Sequence, residues 1–548
     1  MTTSTWIVPV LIVGGGPVGL STSILLSRHG IRSLLVERHR GTALHPKVRG
    51  SNVRTMEIFR PLGVEEPLRA AALPPEQLRS SVWLTSLAGA ELSRMRMGYD
   101  PELYDQYSPT LPCGCAQDEL ESVLLSHATT YRHGELLFGH ELTSFCQDSS
   151  GVTASMVDRT TGVETTVRAS YLIAADGASS GVRCALGTPM PGPVLSHRIS
   201  ILFRADLGGL VDGKRSLLYW INNPEVSGLF LAVDNADRWN FHLAYYPESG
   251  ETVDEFTDDR CIDIVRKAAG VPDLPVKIVS KLPWTMAAQV AERFQIGRVF
   301  LAGDAAHVMP PTGGYGMNTG IQDVHNLAWK LAGMLSGWAA SELLDTYEAE
   351  RLPVARFNTE HALINAVETD REGGRPVAAR FQGIGIALGF SYDSPAVVPD
   401  GSSPPEVGDP VAEYVPTGRP GSRAPHVWLQ RNGERISTLD LFERSFVLLS
   451  GPQGEAWCDG GERVARALGI PLESYAIGPN ANLIDTEGDW VRTYQVEHDG
   501  AVLVRPDGHV AWRSRTCVAD PPGVLADVLR AILGLGHASN VTTSRCSA

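Results

Sequence analysis

Three glycines near the N-terminus have a spacing that brings backbone amides close to an anion. Gly14, Gly16 and Gly19 form the pattern G-x-G-x-x-G between an apolar run, VPVLIV, and a stretch of helical periodicity. Glycines at these positions permit a tight turn, a close approach of the backbone to a pyrophosphate, and close packing of helix on strand. Glu37 ends the next apolar run, where a carboxylate would bind ribose hydroxyls. The pattern predicts a dinucleotide site; the alternative is a glycine-rich turn in another α/β unit.

Two carboxylates further along the chain also follow apolar runs. Asp176 follows YLIAA, and Asp304 follows RVFLA in the stretch GDAAHVMPPTGGYGMN. A carboxylate at a strand end can bind the hydroxyls of a ribose or a ribitol. The glycines before Met317 expose amides at a helix start, which suits the partial negative charge of a reduced flavin ring. The first pattern fits NAD or FAD, and this stretch favours FAD, although Asp304 alone could be a helix N-cap.

Strands and helices alternate around these candidate residues, as an α/β fold requires. The stretch after Gly316 repeats apolar residues at helical spacing, and residues 188–284 alternate polar and apolar residues in strand fashion. Beyond a linker rich in Pro, Gly and Ser, the run VLVRPDGHVAWR predicts a hairpin that turns at Asp507-Gly508. A final amphipathic stretch predicts a helix at the C-terminal end.

Composition and charge limit the possible partners. The chain has 548 residues, and its net charge of −15 disfavours nucleic acid and anionic membranes, which both attract basic surfaces. No apolar run is long enough for a membrane helix, and no Lys or Arg precedes the N-terminal run as in a signal peptide. The 8 cysteines are scattered without a C-x-x-C pair, which indicates free thiols and no metal site. We therefore expect a cytoplasmic protein.

Together these motifs resemble the FAD-dependent aromatic hydroxylases, the class A flavoprotein monooxygenases related to para-hydroxybenzoate hydroxylase. The glycine pattern with its acid, DGxxSxxR, and GDAAHxxPPxGGxGxN followed by NLAWKLA occur in the family's order, from about Pro9 to Arg351. The stretches HPKVRGSNVRTMEIFRPLGV, CAQDELESVLL and YEAERLPVA also match. Within the family, the sequence is most similar to large members that hydroxylate polycyclic aromatic polyketides, such as aklavinone hydroxylase.

The resemblance implies a set of cofactor-binding residues. They are Gly14, Gly16, Pro17, Val18, Gly19, Glu37, Arg38, Arg49, Gln117, Leu142, Asp176, Asp304, Pro311, Gly316, Met317 and Asn318. In this set Asp304 would bind the ribitol, and the helix start at Met317 would face the pyrimidine edge of the flavin. Arg49 would lie on a mobile loop near the flavin, or only anchor that loop.

Some neighbouring residues have more than one interpretation. Arg183 matches a motif linked to FAD and NAD(P)H, but a structural ion pair fits it equally well. His307 follows Asp304, and we expect it to make a structural hydrogen bond rather than act as a base. His325 departs from the small or apolar residue that is usual in the family, which would change a helix face rather than the chemistry.

The resemblance implies an α/β fold of three parts: a Rossmann-like FAD-binding domain, a mixed-sheet substrate domain and a C-terminal thioredoxin-like domain. The FAD-binding domain would comprise residues 1–187 and 285–398, interrupted by the substrate domain at 188–284. Residues 399–548 would form the thioredoxin-like domain without C-x-x-C. Cys458 has no partner thiol nearby in sequence, so it is expected to be structural or an oligomer contact.

Aromatic and polar residues in the 188–284 region are candidates for substrate contacts. We expect Tyr219, Trp220, His242 and Tyr246 to face the flavin, with ordinary packing in the sheet as the alternative for each. The resemblance adds Pro310 as part of the wall against which the substrate lies.

The function implied by the resemblance is an FAD-dependent monooxygenase that hydroxylates an aromatic, polycyclic polyketide-type substrate through a C4a-hydroperoxyflavin. FAD, NADPH or NADH, O₂ and a small aromatic molecule are the expected cofactors and partners. The chain would be a monomer or homodimer, and no side chain is assigned as the catalytic base. A Baeyer–Villiger or epoxidising monooxygenase is one alternative, and a flavin protein that escorts an intermediate without turnover is another.

Overall fold

The computed structural model describes residues 5–97, 101–371, 383–479 and 481–536. The chain forms two compact units. The first contains Met1–Ala328, Arg351–Gly389 and Val407–Tyr414, and the second contains Trp329–Glu350, Phe390–Glu406 and Val415–Ala548. The finer division into three domains stays a prediction.

The strands are β1 Thr5–Val13, β2 Ser33–Glu37, β3 Ser80–Leu84, β4 Glu91–Arg96, β5 Gly134–Phe138, β6 His140–Asp148, β7 Gly151–Asp158, β8 Glu164–Ala174, β9 Val194–Arg204, β10 Leu218–Asn222, β11 Ser227–Ala232, β12 Arg238–Tyr245, β13 Lys277–Ala287, β14 Gln289–Val290, β15 Gln295–Ile296, β16 Val299–Leu301, β17 His307–Val308, β18 Trp428–Arg431, β19 Glu434–Ser437, β20 Phe446–Ser450, β21 Leu472–Ala476, β22 Ala501–Val504 and β23 Val510–Ser514. The α-helices are α1 Pro17–Arg28, α2 Val53–Phe59, α3 Glu65–Ala71, α4 Pro101–Tyr104, α5 Gln117–Ala128, α6 Gly181–Ala185, α7 Asp258–Ala269, α8 Gly316–Leu335, α9 Thr346–Arg371, α10 Ile384–Leu388, α11 Glu455–Leu468, α12 Asp489–Tyr494 and α13 Pro521–Ile532.

A sheet with parallel central strands organises the first unit. Its strand order is β15-β16-β8-β1-β2-β5, and β16, β8, β1, β2 and β5 are parallel neighbours. Because parallel strands end at the same edge of the sheet, the residues that follow β1, β2, β8 and β16 meet there. The first glycine pattern and Glu37, Asp176 and Asp304 follow or end these strands. The topology thus brings together side chains that are far apart in sequence.

A second sheet in the same unit has seven strands in the order β13-β9-β12-β11-β10-β3-β4. β10 pairs with β3 in parallel and the other neighbours are antiparallel, so the sheet is mixed. One face is an apolar core that includes Tyr219, Phe230, Phe241 and buried residues of α7 such as Val265. The opposite face carries a cross-strand row that contains Trp220, Leu229, His242, Ser200 and Leu282, since each of them pairs with the next.

The second unit contains a four-stranded sheet in the order β21-β20-β22-β23. β20 is parallel to β21 and antiparallel to β22, and β22 and β23 form the hairpin that the sequence predicts. Its turn contains Gly508 with φ +73°, a left-handed conformation that favours glycine. Trp457 of α11 and Leu525 and Leu529 of α13 are buried in one core cluster, as expected for the final amphipathic helix.

Two features of the described residues bear on the expected partners. None of the helices in the described ranges is both long and apolar enough to span a bilayer. In the same part of the chain, no group of His, Cys, Asp and Glu side chains is placed to hold a metal ion.

Candidate active site

A cavity of about 1120 Å³ opens at the carboxyl ends of the parallel strands. It is larger than the roughly 300–1,000 Å³ of most small-molecule sites, which suits a ligand the size of a dinucleotide. The predicted cofactor residues that line it are Gly14, Gly16, Pro17, Val18, Glu37, Arg38, Gln117, Leu142, Asp176, Asp304 and Met317. Gly19, Arg49, Pro311, Gly316 and Asn318 do not line this cavity.

The glycines of the first turn have two different roles, because some allow close packing and one leaves room for a ligand. Gly14 has φ +109°, and a Cβ there would lie 2.2 Å from the carbonyl oxygen of Ala175. A Cβ on Gly19 would lie 1.9 Å from the carbonyl oxygen of Gly14, so these two glycines allow strand and helix to pack. At Gly16 the nearest atom would be 3.9 Å away, on Glu121. Gly16 therefore leaves space for a ligand rather than for protein.

The N-terminus of α1 presents its amides without a competing side chain. Its N-cap is Gly16, which makes no side-chain capping bond, and its first turn contains no acidic residue. Such an end favours a bound anion through its unsatisfied N–H groups and the helix dipole. The geometry therefore fits a pyrophosphate at this point.

Glu37 lies at the end of β2, beside the glycine turn. Its Oε2 accepts a hydrogen bond of 2.7 Å from the amide of Gly15, and its Oε1 accepts one of 2.8 Å from the amide of His39. These bonds fix the carboxylate at the cavity wall. Each oxygen has a second lone pair that can accept from a ribose hydroxyl.

Asp176 lines the cavity in the loop after β8, and Arg183 lies on α6, which follows that loop. One oxygen of Asp176 accepts from the amide of Val182 at 3.2 Å, while the other, Oδ1, is buried and lacks a hydrogen-bond partner among the described residues. Arg183 donates to the carbonyl oxygens of Ala305 at 3.0 Å and Ala178 at 2.9 Å. Arg183 thus connects the loop of Asp176 to the turn of Asp304. It does so by hydrogen bonds to backbone carbonyl oxygens rather than by an ion pair.

Asp304 projects into the cavity from the short 3₁₀ turn Gly303–Ala305. Its side chain makes no hydrogen bond with the residues that the structure describes, and it is exposed to the cavity interior. The protein around it raises the pKa of the Asp304 carboxyl through desolvation, which the charges of His307 and Lys47 partly oppose. A carboxylate in this position gains hydrogen bonds from a polyhydroxyl ligand without losing any within the protein.

We expect Asp304→Ala to weaken FAD binding about 10- to 100-fold, because a hydrogen bond to a charged group contributes about 1.5–3 kcal/mol. Stability of the apoprotein should stay unchanged, since the side chain supports no other group. Titration of the apoprotein with FAD, followed by flavin fluorescence, gives the Kd, and thermal unfolding gives the stability. Asp212→Ala, in an exposed turn outside the cavity, is the matched control. An unchanged Kd in Asp304→Ala would remove this residue from the site.

Glu121 is a cavity residue that the sequence did not reveal. It lies one turn after Gln117 on α5, and it accepts hydrogen bonds of 2.6 Å from the Gln117 side chain and 2.6 Å from the amide of Ala43. Burial raises the pKa of the Glu121 carboxyl, against the effect of these two bonds. Gln117 also accepts from the amide of Lys47 at 3.1 Å. These bonds hold the loop of Ala43 and Lys47 against the cavity. The sequence signal that could have indicated Glu121 was its position four residues after Gln117, on the same helix face.

The start of α8 brings the second glycine stretch to the cavity. Met317 lines the cavity, and the first turn of the helix contains no acidic residue. The Asn318 side chain is used within the protein instead, because its Oδ1 accepts from the amide of Asn52 at 2.8 Å and from the hydroxyl of Thr55 at 2.7 Å. Its amide group donates to the carbonyl oxygen of Gly314 at 2.7 Å. Asn318 therefore fixes the helix start, and only its backbone is available to a ligand.

Arg49 is a buried cation, 7% exposed, in the segment whose Gly50 and Asn52 bond Asn318. One of its nitrogens donates to the carbonyl oxygen of Val233 at 3.3 Å, and its Nε and Nη1 have no hydrogen-bond partner among the described residues. Desolvation lowers the pKa of Arg49 to about 10. Neither nitrogen reaches the cavity, so the choice between a flavin contact and a loop anchor for Arg49 stays a prediction.

Two of the residues expected to face the flavin, Tyr219 and Tyr246, do not line the cavity. Tyr219 lies in the apolar core of the seven-stranded sheet, and its hydroxyl donates to Asn235 Oδ1 at 2.8 Å and accepts from the amide of Ser216 at 2.7 Å. Tyr246 follows the end of β12 and is 55% exposed. The expectation for Tyr219 was wrong, because the residue alternation in a strand assigns faces only once the register is known. The role of Tyr246 as a substrate contact stays a prediction.

Trp220 and His242 lie on the opposite face of that sheet. Ser280 and Leu282, which line the cavity, share this face, so we name it the cavity face. Trp220 stacks on Trp83 with 5.9 Å between ring centroids and donates to Ser81. Neither Trp220 nor His242 lines the cavity itself, and Pro310 is buried and does not line it either. Their role as substrate contacts stays a prediction.

His307 has the structural role expected of it. It is fully buried, and its Nε2 donates to Asp323 at 2.7 Å. Asp323 also accepts from Arg351 at 2.8 Å and from the amide of Gly303 at 3.2 Å. Asp323, which the sequence did not reveal, therefore stabilises the turn that carries Asp304.

The residues at the cavity fit FAD. The open position at Gly16 and the bare start of α1 suit a pyrophosphate, and Glu37 suits a ribose. The projecting carboxylate of Asp304 suits the hydroxyls of a ribitol. The start of α8 suits an electron-rich ring edge.

Comparisons with known proteins agree with this fit. The FAD binding domain family matches residues 7–362, and the family of the aromatic-ring hydroxylase C-terminal domain matches residues 417–535. The chain is 41% identical over 556 residues to tetracenomycin A2 monooxygenase-dioxygenase of Streptomyces glaucescens, covering 97% of each chain. Two solved structures are also similar. The flavin-dependent monooxygenase PieE, in complex with FAD and substrate, has a TM-score of 0.89 at 36% identity over 97% of this chain and 99% of that chain. The ternary complex of aklavinone-11 hydroxylase with FAD and aklavinone has a TM-score of 0.86 at 38% identity over 96% and 99%.

Proposed function

The chain belongs to the FAD-dependent aromatic-ring hydroxylases, and on that premise we propose that it hydroxylates a polycyclic aromatic substrate of polyketide type, with NADPH or NADH as the reductant. The observation that carries the proposal is a cavity that fits FAD in a chain that also matches the hydroxylase C-terminal domain. Similar chains that are named for tetracenomycin and aklavinone support the substrate class. The C-terminal match also favours hydroxylation over Baeyer–Villiger oxidation, epoxidation or escort of an intermediate.

The polar residues of the cavity bind and orient the cofactor. The amides at the start of α1 would hold the pyrophosphate, Glu37 the ribose, and Asp304 the ribitol. When bound, FAD accepts electrons from NAD(P)H and activates O₂ for transfer of one oxygen atom to an aromatic carbon. The protein's contribution is therefore to fix the ring, keep water away and manage protons.

The residues near the ring end would position the reacting groups. The bare start of α8 supplies amides beside Met317, which lines the cavity. Trp220 and Trp83 give the cavity face a stacked aromatic surface. We propose this surface as the apolar wall for a polycyclic ring system, which would exclude water from the reacting carbon.

We also propose that the C-terminal part has a thioredoxin-like fold without redox activity. A β-α-β pair, β20-α11-β21, followed by the β22-β23 hairpin and α13 gives the order β21-β20-β22-β23, which supports that fold. The sequence lacks C-x-x-C, and Cys458 lies 3.3 Å from the hydroxyl of Ser450. Burial raises the pKa of the Cys458 thiol, which disfavours the reactive thiolate.

The test is anaerobic reduction of the FAD-loaded protein by NADPH in a stopped-flow instrument, with and without 1,2-dihydroxyanthraquinone. We expect the polycyclic phenol to accelerate bleaching of the flavin absorbance at least about 10-fold, because a substrate that orders the site favours productive encounter with the reductant. Admission of O₂ should then give a product that is heavier by one oxygen atom. Benzene-1,2-diol is the control for ring size. Reduction that no polycyclic phenol accelerates would contradict the proposed substrate class.

A further inference from the structure

A carboxyl group lies directly beside the space that a pyrophosphate would occupy. Glu121 lines the cavity from α5 and is 2% exposed. Its Oε1 is the nearest protein atom, at 3.9 Å, to the position that a Cβ on Gly16 would take. Gly16 is also the N-cap of α1, whose bare amides favour an anion. A pyrophosphate bound at these amides would therefore lie close to the Glu121 carboxyl group.

Glu121 makes two hydrogen bonds within the described part of the chain, and neither involves α1. Its Oε1 accepts from Nε2 of Gln117 at 2.6 Å, and its Oε2 accepts from the amide of Ala43 at 2.6 Å. The Oε1 of Gln117 accepts from the amide of Lys47, so its Nε2 is the atom that donates to Glu121. Oε1 of Glu121 can also carry a hydrogen and still accept the bond from Gln117, because a protonated carboxyl group keeps acceptor capacity.

An ionised Glu121 would repel the pyrophosphate of FAD. The pyrophosphate is doubly negative near neutral pH, and like charges repel each other more strongly in a partly enclosed cavity than in water. A nearby like charge disfavours the ionised form of a carboxyl group. The neutral form has an O–H group that can donate to a phosphate oxygen, and hydrogen bonds to charged acceptors are strong. Protonation of Glu121 therefore converts a repulsive contact into an attractive one.

The protein around Glu121 already shifts this carboxyl group towards its neutral form. Desolvation raises the pKa of Glu121, and the charge of Glu37 raises it further. The hydrogen bonds from Ala43 and Gln117 and the charge of Lys47 act in the opposite direction. The arrival of two more negative charges adds to the first effect, so a bound pyrophosphate raises the pKa of Glu121 again.

Other ionisable side chains on the surrounding elements do not face Glu121 as free charges. On α1, no ionisable side chain precedes Arg28 at the far end of the helix. On the loop after β2, desolvation lowers the pKa of His45 to about 4, so its imidazole is neutral above about pH 6. The others are paired elsewhere or exposed to solvent: Asp118 and Glu119 with Arg238, Glu65 with Arg69, and the exposed Arg38, His39, Arg40 and Glu66.

We propose that Glu121 binds the pyrophosphate of FAD as a neutral acid, so that the apoprotein takes up one proton when the cofactor binds. The proton passes from the buffer to Oε1 of the ionised carboxylate, and the new O–H group donates to a phosphate oxygen. The bonds from Gln117 and Ala43 stay in place, so Glu121 also connects the pyrophosphate to the loop of Lys47. This proton uptake belongs to cofactor binding and does not depend on the proposed substrate.

Proton uptake gives FAD binding a pH dependence of defined sign. The complex holds one more proton than the separate apoprotein and FAD, so the affinity falls as pH rises. The fall occurs between the pKa of Glu121 in the apoprotein and its higher pKa in the complex. Within this window the Kd should rise by up to about 10-fold per pH unit.

Two measurements on apoprotein and FAD test the proposal without turnover. Fluorescence titrations between about pH 6 and about pH 8 give the Kd, which we expect to rise at least about 10-fold over this range. Isothermal titration calorimetry at neutral pH, in two buffers that differ in ionisation enthalpy, gives the number of protons taken up. We expect about half to one proton per FAD bound.

Glu121→Gln separates an acid that gains a proton from a side chain that only supports the loop. Glutamine has the same size and presents an N–H donor without a charge. This variant should take up no proton and bind FAD with a Kd that does not change with pH, at least about 3-fold below that of the wild type at about pH 8. A purely structural role would instead weaken binding at every pH. Glu119→Gln, on the same helix outside the cavity, is the matched control and should keep the wild-type pH profile.

Two results would overturn the proposal. One is a wild-type Kd that stays constant over this pH range without proton uptake. The other is a folded Glu121→Gln protein, as judged by thermal unfolding, that keeps the pH dependence and proton uptake of the wild type. If Glu121→Gln does not fold, the proton count of the wild-type protein decides alone.

Discussion

Replacement of Gly16 by valine should abolish FAD binding while the protein stays folded. The backbone at Gly16 has φ −78° and ψ −172°, which any residue adopts. A Cβ there would meet no protein atom closer than 3.9 Å, so the valine side chain would extend into the cavity at the start of α1. It would occupy the space that a pyrophosphate needs to reach the helix amides. We expect the Kd for FAD to rise by more than about 100-fold, which corresponds to about 2.7 kcal/mol.

Gly14→Ala is the contrasting variant. Gly14 has φ +109°, and its new Cβ would overlap the carbonyl oxygen of Ala175. Strain of this kind costs about 1–3 kcal/mol before the clash is counted. In Gly14→Ala the free energy of unfolding of the apoprotein should therefore fall by about 3 kcal/mol or more. FAD binding should be lost as well.

The variants Gly16→Val and Gly14→Ala are compared by urea unfolding of the apoproteins and by fluorescence titration with FAD. The expected result is a normal unfolding midpoint with weak binding for Gly16→Val, and a lowered midpoint for Gly14→Ala. If Gly16→Val bound FAD as tightly as the wild type, the cofactor would not lie at the start of α1, and the assignment of the cavity would be wrong.

Short-range patterns predicted the cofactor end of the site. Each of Glu37, Asp176 and Asp304 stands at or just after an apolar run, and such runs became parallel strands that end at one edge. The position of a residue at a strand end is a local property of the sequence. The predicted residues therefore came together as soon as the strand order was known.

The rest of the site depends on pairing between strands that are far apart in sequence, and this pairing could not be predicted. Tyr219 and Trp220 are neighbours in one strand with opposite faces, and only the register of β10 against β11 and β3 determines which one is in the core. Strands β3 and β4, from residues 80–96, join a sheet whose other strands come from residues 194–287, and no signal near either segment indicates this.

The polar interactions that fix the loops were hidden for the same reason. Asp323 lies inside an amphipathic helix, where a sequence shows only a polar residue, yet it bonds His307 and Arg351. His45 and Ser200 are separated by 155 positions in the chain, and nothing in either segment indicates their contact. A buried polar cluster depends on the complete fold, because each partner must be satisfied by another element.

Asp323→Ala should cause the largest loss of stability among single changes around the site. Asp323 is fully buried, and its carboxylate binds Arg351 at 2.8 Å, His307 at 2.7 Å and the amide of Gly303 at 3.2 Å. Its removal leaves the buried guanidinium of Arg351 without this counter-charge. Loss of one partner of a buried ion pair costs about 3–5 kcal/mol. Because Gly303 begins the turn that carries Asp304, FAD binding should weaken as well.

The stability that Asp323→Ala loses should also depend on pH. Desolvation alone would raise the pKa of Asp323, but the charges of His307 and Arg351 hold it below its ordinary value. An unfolded Asp has a pKa of about 3.9, so the ionised carboxylate stabilises the folded state above that pH. This stabilisation is lost as pH falls through the lower pKa of the folded state.

Urea unfolding of apoprotein from pH 7 down to pH 3 measures both effects. The free energy of unfolding of Asp323→Ala should lie about 3–5 kcal/mol below that of the wild type at pH 7, and the gap should narrow below about pH 4. Asp263→Ala removes an exposed partner of Lys267 and should cost less than about 1 kcal/mol at every pH. A gap that stayed constant down to pH 3 would mean that lost packing, rather than lost charge, explains the destabilisation. A gap as small as that of the control would show that Asp323 does not stabilise the turn, and Asp304 would then owe its position to Arg183 and the strand alone.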